Sequence, residues 1–262
     1  MYRPDQTAPF TPPPLLPDGG IFLGLDAYGR RVGIKSERHL CTFGGSRSGK
    51  GAALIIPVLK SWSGGSVLVI DPKGENAAAS WQEREAMGHK VHVLDPFRVA
   101  DVPRRLRASF NPLAAIYNAE GRLDQPIVQK QDGETLSARQ MGELSTARED
   151  IRVIAEGLVM RHAAENPVWD NGAVTVLAGM IAHNLATAEA DLRSLPAMRS
   201  VLDFPDKLLA GVFSDMAENP AFGGLAKTAA AVGLSEAKSA LEFVKGARDH
   251  TEWLNSQPMA SV

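Results

Sequence analysis

The sequence predicts an α/β fold in which a parallel sheet is covered by helices and joined to an all-α region. Three observations carry this prediction. Short apolar segments alternate with helical ones between residues 39 and 94, the pattern of parallel strands with crossover helices. A glycine-rich loop, Gly44 to Gly51, separates the first such strand from the first helix. Further along, Ile151, Ile154 and Leu158, then Val174, Leu177, Ile181 and Leu185, recur at helical spacing with no strand pattern among them.

Each element follows from its residues. Residues 1 to 20 carry Pro4, Pro9, Pro12, Pro13, Pro14 and Pro17, which forbid a regular ladder and favour an extended linker. In "IFLGLDAYGRRVGIK" two apolar segments flank Asp26 to Gly29, the composition of a β-hairpin connection. Next come "HLCTF" as strand, Gly51 to Trp62 as helix, "SVLVI" as strand, Glu75 to Met87 as helix and "KVHVL" as strand. "SVLVI" is apolar almost throughout, as expected of a strand buried on both faces. Pro57 predicts a bend or an early end in its helix, because it removes a backbone donor. After "FNPLAAI" the residues from 117 to 145 are polar and glycine-containing, which reads as a loop or boundary. The expected organisation is therefore a linker over 1–20 and the first part of a nucleotide-binding domain over 21–116. The boundary at 117–145 leads into an all-α domain over 146–250, and 251–262 begins a return to the nucleotide domain.

Composition narrows the function classes. With 262 residues and 44% hydrophobic content the chain can bury a sizeable core. No run approaches the ~20 apolar residues of a membrane-spanning helix, so the chain itself is expected to be soluble. Its single cysteine excludes an internal disulfide. The net charge of −2 hides an asymmetry: residues 21–115 hold 14 Lys/Arg against 8 Asp/Glu, whereas residues 146–250 hold 10 against 14.

"GGSRSGKG" has the spacing of a phosphate-binding loop, in which backbone N–H groups cradle phosphates and the lysine reaches the outer ones. Gly44, Gly45, Ser46, Arg47, Ser48, Gly49, Lys50 and Gly51 are its candidate residues. Gly51 replaces the Ser or Thr whose hydroxyl normally contacts Mg²⁺. Water or another carboxylate must then hold the metal. Asp71, at the end of "SVLVI", is placed for that role, since ligands gather at the carboxyl ends of parallel strands. It is equally suited to opening the turn "DPKGE", and both readings stand. "DPKG" also satisfies the Asp-x-x-Gly signature of GTPases. No Asn-Lys-x-Asp accompanies it, however, and Gly51 lacks the hydroxyl that GTPases and small-molecule kinases use.

Taken in order, "GGSRSGKG", "LIIPVL", "SVLVIDPKGE", "VHVLDPF" and "FNPL" resemble the coupling proteins of conjugation and type IV secretion of the TraG type. The "GKG" ending is usual in that family. "VWDNGAVTVLAGMIAHNL" and "GLSEAKSALEFVKGA" look like helices of its all-α domain. The resemblance covers roughly residues 21 to 260 and is more specific in the first half. It implies a P-loop NTPase of RecA-like fold, here incomplete, with an inserted all-α domain.

It also implies ATP and Mg²⁺ as cofactors, with Asp71 and Glu75 of "DPKGE" as water or metal contacts. The implied partners are a DNA-relaxase complex or protein secretion substrate and the components of the secretion channel, with hexameric self-association and a place at the inner membrane. The family begins with membrane-spanning helices, and its second nucleotide motif, an apolar run ending in Asp-Glu, is expected beyond Val262. No Asp-Glu dipeptide occurs in the chain. The carboxylate that would orient attacking water is therefore missing, which predicts ATP binding with little or no hydrolysis. A non-hydrolysing scaffold whose helical domain binds secretion substrates is the first alternative, and an unrelated P-loop ATPase with a helical lid the second.

Arg104, Arg105 and Arg107 form the densest basic cluster, read as a solvated loop in preference to a nucleic-acid contact. Trp169 is expected to pack at a helix start, near Asp170 and Asn171 as caps, with partner docking as the alternative. His89 and His92 stand at or beside a strand without ligand spacing to other donors, and Cys41 is expected to be a core thiol.

Overall fold

The computed structural model describes residues 15–117, 138–160 and 167–260. The chain divides into two compact units, 1–108 and 109–262. Of the expected linker and of the boundary segment, residues 1–14 and 118–137 lie outside the described residues.

The first unit opens with the predicted hairpin. Strands β1 (Ile21–Leu25) and β2 (Arg31–Ile34) pair antiparallel. Asp26 fixes the turn, because its Oδ1 accepts from the backbone N–H of Tyr28 and Arg30 at 2.9 and 2.8 Å. A π-helical turn, Gly51–Ile55, leads directly into α1 (Ile56–Ser61). Pro57 explains the change of register. It has no N–H to donate, and the wider i→i+5 bond from Ile56 N–H to Gly51 O lets the chain reach the proline before α-geometry begins. The helix ends early, at Ser61.

Helix α2 (Glu75–Ala86) lies against α1 and is pinned there by a buried arginine. The Arg84 guanidinium donates to Leu59 O at 3.3 Å and also to Trp62 O, satisfying carbonyls left open at the C-terminus of α1. A small core of Ala100, Val102 and Leu106 packs under Trp81, Val91 and Val93.

The expected strands at 39–43, 66–70 and 90–94 form no ladder among the described residues. One parallel bridge joins Val93 to Arg107. "SVLVI", expected to be buried on both faces, presents Leu68 at 90% and Ile70 at 83% exposure. Strand geometry needs a hydrogen-bonded neighbour, and none of the described residues supplies one for 66–70. Cys41, expected in the core, is exposed for the same reason.

The second unit holds helices and no strand among its described residues: α3 (Ala114–Tyr117), α4 (Ala138–Leu158), α5 (Pro167–Thr187), α6 (Leu195–Leu202), α7 (Asp206–Glu218), α8 (Ala221–Gly233), α9 (Lys238–Thr251) and α10 (Gln257–Ala260). Helix α4 begins inside the stretch read from sequence as loop or boundary. Helix α5 is apolar on nearly every face and is the centre of the unit, with Val176, Leu177, Met180 and Ile181 buried, as an all-round apolar helix must be. It packs on α4, α8 and α9. Its contact with α8 is unusually close: a Cβ on Gly179 would stand 2.1 Å from Ala229 Cβ. Within 251–262, Leu254 joins this core and Asn255 Nδ2 donates to Asp203 Oδ2 at 2.9 Å.

Ser194 caps α6 by accepting from Ala197 N–H at 3.3 Å. Ser194→Ala is expected to lower stability by about 1 kcal/mol, measured as a reduced urea midpoint.

Candidate functional site

The glycine-rich loop lies on the surface of the first unit, with residues 44 to 49 exposed. Its backbone alternates in hand. Arg47 and Gly49 have φ of +61° and +80°, whereas Lys50 is right-handed at φ −48°, ψ −44°. Such alternation of hand is the backbone pattern from which anion-binding concavities are built. Glycine at 49 allows the left-handed geometry without strain; at 47 an arginine adopts it. Ser48 N–H donates to Gly45 O at 3.3 Å, and no acceptor stands against the amides of Ser46, Arg47 and Gly49 among the described residues. These donors face solvent and are free to take a ligand.

Lys50 folds into the loop. Its Nζ donates to Gly44 O at 2.6 Å, to Gly45 O at 2.8 Å and to Ser48 Oγ at 3.4 Å. An ammonium has three donors, so all three have acceptors here. The charge is thus held at the mouth of the concavity, beside the start of the helical segment that runs from Gly51 to Ser61. Gly51 opens that segment without a hydroxyl.

Asp71 serves the turn. Its Oδ2 accepts from Ala77 N–H at 2.9 Å and its Oδ1 from Asn76 Nδ2 at 3.3 Å, while Gly74 N–H closes the turn onto Asp71 O at 3.0 Å. The carboxylate therefore orders the start of α2. Glu75, first residue of α2, is exposed, a favourable place for negative charge at a helix N-terminus. Among the described residues no hydrogen bond or ion pair joins Asp71 or Glu75 to the loop.

A residue that sequence reasoning treated only as part of "VHVLDPF" proves central to this unit. Asp95 accepts from Val99 N–H and Ala100 N–H, each at 2.9 Å, and from the Arg107 guanidinium. Arg107 also donates to Ala100 O at 2.8 Å. Burial alone would push the Asp95 carboxyl up, but the backbone donors of Ala100 and Val99 and the Arg107 guanidinium hold it below the usual carboxylate range.

Two arginines of the basic cluster are paired with carboxylates. Arg105 makes a paired contact with both Glu85 oxygens and lies over the Trp81 ring, 5.3 Å from its centroid. With Arg107 engaged by Asp95, two of the three arginines are paired within the unit, while Arg104 and Arg105 stay exposed, as expected of a solvated loop. His89 Nδ1 lies 3.1 Å from Arg84 Nη2. In the helical unit Trp169 is partly exposed and meets Phe243 edge-on at 5.5 Å, the packing contact expected of it.

The family model for conjugative DNA transfer by the type IV secretory system matches residues 14–218. The conjugal transfer protein TraG of Escherichia coli is 28% identical over 183 residues, which is 68% of this chain and 24% of TraG. The chain therefore spans about a quarter of that relative. No solved structure matches it.

Proposed function

Because the chain belongs to the type IV secretory system conjugative DNA transfer family, we propose that its glycine-rich loop holds the phosphates of ATP. The chain would then be the nucleotide-binding portion of a coupling protein that delivers DNA or protein substrates to the secretion channel. The observation that carries this reading is the concavity at residues 46 to 50: alternating backbone hand, amides with no protein acceptor, and the Lys50 ammonium at its mouth. Backbone donors and one lysine are the chemistry that phosphate oxygens require.

On this reading Lys50 exchanges its bonds to Gly44 O and Gly45 O for bonds to phosphate. Mg²⁺ accompanies the nucleotide. Asp71 fits a contact to the metal through water, since each oxygen accepts one hydrogen bond and keeps a lone pair; Glu75 is the second carboxylate available. The fold proposed with this function is a RecA-like parallel sheet in which 39–43, 66–70 and 90–94 are strands. The apolar side chains of 66–70 support it, because their composition suits pairing and burial. The DNA-relaxase complex, a ring of like subunits and a place at the inner membrane belong to the same proposal. No helix among the described residues is long and apolar enough to cross a membrane.

The lack of any Asp-Glu dipeptide favours binding without appreciable hydrolysis by this chain. Calorimetric titration with Mg·ATP tests the site. Lys50→Ala is expected to weaken binding at least tenfold, about 1.4 kcal/mol, and equal affinity in the two proteins rejects the proposal. Phosphate release measured with and without single-stranded DNA then separates a motor from a scaffold, and release at or near background is expected in both.

A further inference from the structure

The glycine-rich loop carries a second cation. Arg47 stands three residues ahead of Lys50, and no Asp or Glu occurs anywhere between Glu37 and Asp71. Within that stretch Lys60 is paired with Glu83, whereas Arg47 and Lys50 make no ion pair among the described residues. Lys50 donates to oxygens of the loop itself. The Arg47 side chain is exposed and meets no acceptor among the described residues, unlike Arg84, Arg105 and Arg107 of the same unit.

Arg47 also stands in a costly conformation. Its φ of +61° lies in the left-handed region, where the Cβ of any side chain crowds the following carbonyl and which glycine occupies freely. Gly49 does so in the same loop at +80°. A bulky residue held there, with no polar contact to the rest of the protein that offsets the strain, points to a ligand. Gly51 supplies the complementary observation. It lacks the hydroxyl through which such loops hold Mg²⁺, yet a Cβ at Gly51 would meet nothing within 4 Å. Crowding does not exclude a serine. The loop thus forgoes one means of bringing positive charge to a phosphate and carries another.

We propose that Arg47 is a second phosphate-binding side chain, whose guanidinium supplies charge that Mg²⁺ supplies in other loops of this type, so that the triphosphate of ATP is held with or without the metal. The inference rests on the reading that this loop holds the phosphates of ATP. A guanidinium stays charged at any working pH, and its fork of donors matches two phosphate oxygens at once. Arg47 and Lys50 place two positive charges on a loop with no carboxylate of its own to oppose them.

The test uses the full chain and calorimetric titration with ATP, once with Mg²⁺ and once in EDTA. Wild type is expected to lose less than about tenfold in affinity when the metal is removed. Arg47→Asn removes the charge but keeps a residue that tolerates the left-handed backbone, and in EDTA it is expected to bind ATP at least about tenfold more weakly than wild type. Inorganic tripolyphosphate is expected to lose affinity by the same factor, because the contact is to phosphate. The urea midpoint of nucleotide-free Arg47→Asn is expected at or above that of wild type, since strain is relieved. A larger loss of wild-type affinity in EDTA, undiminished affinity of Arg47→Asn there, or a loss seen with ATP but not with tripolyphosphate overturns the inference. A lower urea midpoint in Arg47→Asn shows that the arginine serves the fold and overturns it as well. Lys50→Ala keeps the two readings apart: affinity equal to wild type rejects the ATP site itself, whereas a Lys50 effect beside any of those outcomes rejects only the role of Arg47.

Discussion

Asp95→Ala is expected to destabilise the first unit by roughly 3 kcal/mol, because it leaves a largely buried guanidinium and two backbone donors without their acceptor. The Asp95 side chain is only 5% exposed and Arg107 is 26% exposed, so water reaches Arg107 in part and the loss falls at the lower end for a broken buried pair. The local readout is hydrogen exchange at the amides of Val99 and Ala100, which donate to Asp95. Their protection is expected to collapse in the variant. Retained protection at both amides would show that Asp95 does not hold the segment.

The acid dependence follows from the same contacts. The folded carboxyl titrates below its unfolded value, so its contribution to stability is fully present above the unfolded pKa, about 3.9. It is lost as pH falls through the folded pKa. Wild type and Asp95→Ala should therefore differ by a constant amount between pH 5 and 8 and converge only in stronger acid.

Gly179→Val is expected to cost more than about 3 kcal/mol, because even the first added carbon overlaps the neighbouring helix. Helix propensity alone points the other way, since glycine inside a helix is about 1 kcal/mol worse than alanine. Geometry decides the sign. The added Cβ would stand 2.1 Å from Ala229 Cβ and 3.0 Å from Leu225 O, and the second of these is backbone that cannot swing aside. Chemical denaturation followed by circular dichroism should show the loss, and Ala229→Gly in the same chain should restore part of it. A Gly179→Val protein as stable as wild type would show that α5 and α8 are not held at this separation.

Sequence reasoning reached those features whose causes are local. The hairpin was visible in Asp26 to Gly29, the helices in their apolar spacing, and the phosphate-loop spacing in Gly44 and Gly49-Lys50. What it missed depends on groups far apart in the chain. Arg105 and Arg107 looked like free charge because Glu85 and Asp95, which engage them, lie in other segments. The strands at 39–43 and 66–70 were inferred from composition, but a ladder depends on a neighbour, and composition does not name one.

Cys41 is the single thiol of the chain and is exposed, shortly ahead of Gly44. A maleimide dye therefore attaches once per molecule, at a known position beside the glycine-rich loop, without any engineered residue. Fluorescence from that label can follow rearrangement of the loop directly in the unmodified sequence.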